Sequence, residues 1–228
     1  MIALLFAAAI LAQTQPLSPE IQARIAPVTQ AIEAEVARQN ALPAPANDRE
    51  TLERMGQLDQ VGRRVAVTVD LSDLAGAERE AAQNALWAPV EAMDHRLADQ
   101  LLTMVPAEGW FYQSVYGEPA ARAAFLIVQH ADADLQRRFL PVLETLVATG
   151  EVEGSSYALM YDRLALDEGR PQRYGTQMKC RGGRWVIDSD NLEDPENVEA
   201  RRESIGFLGL TLAQYEAGFA RYPPCVEK

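Results

Sequence analysis

The run from Glu118 to Ala131, EPAARAAFLIVQHA, constrains this chain more than any other segment. After Arg122 it carries no charge until its polar end at Gln129 and His130. Its residues favour a helix, and a helix that is apolar all round must be buried. The other elements therefore have to wrap around it. Its far end, Gln129-His130-Ala131-Asp132, then places polar groups at the edge of that core, where burial costs free energy unless partners satisfy them.

Helical patterns dominate the flanks. Ile21, Ile25, Val28, Ile32 and Val36 recur at helical spacing from Pro19 to about Asn40, with Ser18 as the cap. A break at Leu42-Pro43-Ala44-Pro45-Ala46 reads as a linker, and Asn47 or Asp48 caps a helix carrying Leu52, Met55 and Leu58. Val65–Val69 has the β-branching of a strand but reads as a short extended joint between helices. The alanine-rich segment from about Ala75 to Met104 reads as helix, interrupted or kinked at Pro89. Asp132 or Asp134 caps a helix ending before Gly150, and Ser155 or Ser156 starts another through Asp167. A charged helix opens at Asp194-Pro195, and Thr211 starts a last one. Tyr174–Lys179 and Arg184–Asp188 flank Gly182-Gly183, the signature of a hairpin. The expected fold is mainly α: a multi-helix single domain, residues 47–228, with one small β-hairpin near residues 174–188, preceded by an N-terminal helix and linker over residues 13–46.

Residues 1–12, MIALLFAAAILA, form an uncharged apolar run too short to span a bilayer and of the length of a secretory signal core. Cleavage near Ala12 and export to the periplasm or outside are expected, with no integral membrane span in the mature chain. An uncleaved peripheral anchor is the alternative. Cys180 and Cys225 are the only cysteines, and in an oxidising compartment they are expected to pair. The net charge of -12 excludes phosphate-backbone binding as a role, so no nucleic acid partner is expected. No cofactor is expected, because no phosphate loop, dinucleotide fingerprint or nucleophile elbow is present. No metal is assigned: His95 with Asp94 and Asp99 reads as a solvated helix face. The oligomeric state is open.

The polar residues set in apolar company are Gly109-Trp110, Gln129-His130-Ala131-Asp132, Asp162-Arg163 and Gln172-Arg173-Tyr174-Gly175-Thr176-Gln177. With Asp59-Gln60 and Arg63 before them and Arg201-Arg202 after, they resemble an uncharacterised bacterial domain family of unknown function. The resemblance runs from about Asp59 to Tyr215, with an insert from Val65 to about Asp94. It implies a fold unit and a set of residues but no reaction.

These motifs are expected to meet in a polar pocket. His130 and Asp162 are the candidate catalytic pair, with Asp132 or Asp162 orienting the imidazole. Gln129, Arg163, Gln172, Tyr174, Thr176 and Gln177 are the candidate ligand-binding set. Three readings stand: a module binding a small polar or anionic ligand or a peptide, a hydrolase- or lyase-like enzyme using His130 as general acid or base, and a protein whose polar motifs only hold the fold. Asp132 also reads as a plain helix cap.

Overall fold

The computed structural model describes residues 16–207, 209–222 and 225; the leader expected over residues 1–12 lies outside them. The fold is mainly α with one two-stranded antiparallel hairpin. In chain order the helices are α1 (Pro19–Asn40), α2 (Asp48–Ala66), α3 (Gly76–Met104), α4 (Gln113–Tyr116), α5 (Glu118–His130), α6 (Ala133–Val147) and α7 (Gly154–Asp167). Strands β1 (Met178–Arg181) and β2 (Arg184–Ile187) follow, then α8 (Val198–Ser204) and α9 (Leu212–Ala217). Among the described residues no helix is long and apolar enough to cross a membrane.

The chain divides into two compact units. The first is Met1–Ala41 with Gln60–Ala92, described from Pro16 onward. Ser18 caps α1 by accepting from the Ile21 amide, and Ile21, Val28 and Ile32 form the buried face of that helix. Gly62 lets α2 approach closely, because a Cβ there would lie 2.7 Å from Ile32 Cδ1 and 3.0 Å from Val90. Arg24 ties α1 to the following loop through Asp73 at 2.7 Å and the Asp70 carbonyl. The joint expected to be extended at Val65–Val69 is instead helix to Ala66 and then hydrogen-bonded turns. Val67, Thr68 and Val69 donate back to Arg63, Val65 and Ala66, so local bonds outweigh β-branching there. Pro89 does not interrupt α3, which runs through it as one element.

The second unit is Leu42–Asp59 with Met93–Lys228. Helix α5 is its centre, with Ala120, Ala124, Ile127 and Val128 buried. Around it lie Leu52 and Met55 of α2, Leu97 and Leu101 of α3, Phe139 and Leu143 of α6, and Met160 and Leu164 of α7. Trp110, 1% exposed, packs against the Phe139 ring, centroids 5.3 Å apart and planes tilted by 59°. Helix α2 comes within backbone-close range of α5, since a Cβ on Gly56 would sit 2.7 Å from that of Ala123.

Asp132 caps α6 through the Leu135 amide at 2.8 Å, and Thr211 caps α9 in a reciprocal box with Gln214. The hairpin turns on Gly182 and Gly183, both at positive φ (59° and 75°), as a two-residue loop with right-handed strand twist requires. Its first strand is shorter than expected, beginning at Met178 rather than Tyr174, for a reason that lies in Asp162. Cys180 is disulfide-bonded to Cys225 with Cα atoms 5.7 Å apart. A crosslink closing 45 residues contributes about 4 kcal/mol in the chain-entropy account.

Gly154 opens α7 against the end of α8: a Cβ there would lie 1.6 Å from the Ile205 carbonyl oxygen. Gly154→Ala is expected to destabilise the chain by about 1–3 kcal/mol, the usual cost of forced overpacking. Urea denaturation measures this, and an unchanged midpoint would contradict the close approach.

Candidate functional site

Two polar constructions lie in the second unit, and they differ in what their partners are. The first is built on Asp162 of α7, which is fully buried. Its Oδ1 accepts from the amides of Arg173 (2.7 Å) and Tyr174 (3.0 Å), and its Oδ2 from that of Thr176 (2.9 Å). Burial pushes the Asp162 carboxyl above its ordinary range, while these N–H groups pull it down. Amides spent on a side chain cannot join a ladder, so Tyr174–Gln177 forms no strand.

The carbonyls of the same segment are held from the other side. Arg201 Nε donates to the Arg173 carbonyl at 2.8 Å, and Arg202 Nη1 to that of Tyr174 at 2.8 Å. Arg202 is 1% exposed, its guanidinium 3.8 Å from the centre of the Phe207 ring, and burial lowers its pKa. Gln172 and Gln177 close the loop: Gln172 Oε1 accepts from the Gln177 amide at 2.7 Å, and Gln172 Nε2 donates to the Gln177 carbonyl at 3.2 Å. Gln177 Nε2 reaches the Leu159 carbonyl and Thr176 Oγ1. Tyr174 is buried against the rings of Tyr157 and Tyr161, and burial raises its pKa. Gln172, Tyr174, Thr176, Gln177 and Asp162 are thus brought together, by bonds that the chain makes to itself.

The second construction is at the end of α5. His130 Nδ1 lies 2.8 Å from Asp59 Oδ1, a contact between residues 71 positions apart. The Asp59 side chain is fully buried and the imidazole is 12% exposed. Helices bring them together along one seam. Asp59 lies one turn beyond Gly56 on α2, and His130 two turns beyond Ala123 on α5, the two helices that approach closely at Gly56 and Ala123. The carboxylate on His130 is therefore Asp59, while Asp132 caps α6 and Asp162 holds the loop.

Asp94 of α3, 7% exposed, completes the cluster: one ligand-capable atom from each of Asp59, Asp94 and His130 lies within 4.8 Å of the others. The carbonyl end of α5 is fixed beside it. Arg163 Nη1 donates to the Gln129 carbonyl at 3.2 Å, and buried Gln136 donates to the carbonyls of Gln129 and Ala131. Arg163 and Gln129 thus touch, whereas the Gln172–Gln177 loop is held by α7 and α8.

A cleft of about 290 Å³ lies alongside, with His95, Asp99, Asp132, Asp134 and Arg138 in its wall and Leu102 and Leu135 as apolar lining. Asp59, Asp94 and His130 are not in its wall, although His95 and Ala131 follow two of them in sequence. A second cleft, beside Trp110, offers about 30 Å³, space for a water or two.

In sequence Asp59 and Arg202 stand out only within the family-like motifs, and Asp94, expected on a solvated face with His95, is instead buried. The Asp59-Gln60 motif was the one available signal for the partner of His130. Asp162→Asn is expected to cost about 2–4 kcal/mol, because its amide would present N–H to buried N–H donors that need an acceptor. Denaturation at neutral pH measures it, and a loss below about 0.5 kcal/mol would show that the loop is held by other means.

No curated protein and no solved structure matches this chain significantly. The Asp59, His130, Asp162, Gln172–Gln177 and Arg201-Arg202 motifs all fall inside one matched region, residues 49–215, and the chain belongs to the family of unknown function DUF6624.

Proposed function

We propose that this chain is an exported domain that binds a small polar molecule at the Asp59–Asp94–His130 centre, with the neighbouring cleft receiving the rest of the ligand. One observation carries the reading: His130 and Asp59 pair side chain to side chain at 2.8 Å, at a place where the helices are already packed by apolar contact. Buried polar groups that a fold does not need are costly, and ligand sites are where that cost recurs. The cleft of about 290 Å³ has the size of a small-molecule site. Two carboxylates at the centre favour a ligand rich in hydrogen-bond donors over a simple anion. Arg163, the expected anion contact, donates instead to the Gln129 carbonyl.

A hydrolase-like activity is the second reading, favoured by the same contact. With Asp59 ionised, Nδ1 carries the proton and donates to Oδ1, leaving the Nε2 lone pair to take a proton from substrate.

Mass spectrometry of metabolites that co-purify with the full chain tests the binding reading. His130→Ala and Asp59→Asn are expected to lower ligand occupancy at least tenfold, with a folded protein whose stability falls by about 1–3 kcal/mol in His130→Ala because buried Asp59 loses a partner. Equal occupancy in all three proteins, or a His130→Ala protein that no longer folds, would remove the centre as a site. Conversion of the ligand by wild type and not by His130→Ala would establish catalysis.

Export is supported by the Cys180–Cys225 bond, which oxidising compartments maintain. The expected product is an exported chain beginning close to Gln13. N-terminal sequencing of that fraction checks it, and an intact Met1 on all of the protein would refute cleavage.

A further inference from the structure

We propose that Asp59, Asp94 and His130 are the protein ligands of a single divalent transition-metal ion. This deepens the binding reading above and rests on it, because the bound molecule would fill the coordination positions that the protein leaves open.

The distances suit such an ion. Metal–nitrogen and metal–oxygen bonds of about 2.0–2.2 Å put two ligand atoms about 3 Å apart when adjacent and about 4.2 Å apart when opposite. The three candidate atoms lie within 4.8 Å of one another, close to that range before any metal is bound. Each ligand comes from a different buried helix, α2, α3 and α5, which fixes the set from three directions.

The donor set indicates the metal class. One imidazole and two carboxylates suit zinc, manganese or iron, whereas calcium requires six to eight oxygens. Three protein ligands leave at least one position vacant, the arrangement of metal sites that bind or activate a small molecule. The His130 side chain, 12% exposed, leaves the cluster partly open to solvent.

The chain has only two histidines, so imidazole NMR reads each of them without overlap. The test uses the full chain with its disulfide intact, stripped with chelator and titrated with Zn²⁺ and, in calorimetry, with Mn²⁺. The expected result is one equivalent bound, with the His130 ring signals moved by Zn²⁺. Affinity falls at least about tenfold in Asp94→Asn and stays within about twofold in Glu196→Gln, an exposed carboxylate far from the centre in sequence. If Asp94→Asn fails to fold without metal, the wild-type NMR response decides alone. Absence of binding, or a response confined to His95 and lost in His95→Ala, overturns the proposal. Should no metal bind while a co-purifying molecule still depends on His130, only this inference fails. Should metal bind with no molecule present, the binding reading fails instead.

Discussion

Asp162 accepts three backbone amides from a segment that begins eleven residues after it, and the path of the whole C-terminal part follows from that. The carboxylate takes the N–H groups while Arg201 and Arg202 take the carbonyls of Arg173 and Tyr174. A loop so held satisfies its backbone without a strand or helix, which is what a buried irregular segment must do. The position of β1, the hairpin and the disulfide all depend on where this loop releases the chain, at Met178. The ionised carboxyl is disfavoured by burial, so the contact acts chiefly by fixing one conformation rather than by adding net stability.

This changes the sense of the polar motifs around it. Asp162-Arg163 reads in sequence as an anion-binding fork, and Thr176 with Gln177 reads as a ligand contact. In the folded chain Asp162 and Gln177 spend their bonds on backbone groups, and Arg163 holds the end of α5. Networks of this kind are high-stakes, since one missing partner leaves several buried groups unsatisfied.

Much of the fold was legible because its causes are local. The apolar run of α5, the caps at Ser18, Asp132 and Thr211, and the Gly182-Gly183 turn each act within a few residues. The Cys180–Cys225 bond followed from their being the only pair. What escaped was non-local or competitive. Tyr174–Gln177 has strand composition, but Asp162 removes the amides that a ladder needs. Val65–Val69 is β-branched, yet a hydrogen-bonded turn closing α2 claims it. Asp59 and Asp94 are ordinary helical acids by spacing; only the packing of α2, α3 and α5 makes them neighbours of a histidine.

Asp162 and Asp59, both buried, therefore differ in the nature of their partners. Asp162 binds backbone amides, and its removal would leave a loop without a conformation. Asp59 meets a side chain, His130, on a helix that Gly56 lets come close at Ala123. The imidazole in that contact is partly exposed. The family model spans both aspartates and His130, so the loop that shapes the chain and the centre proposed to bind lie in one domain.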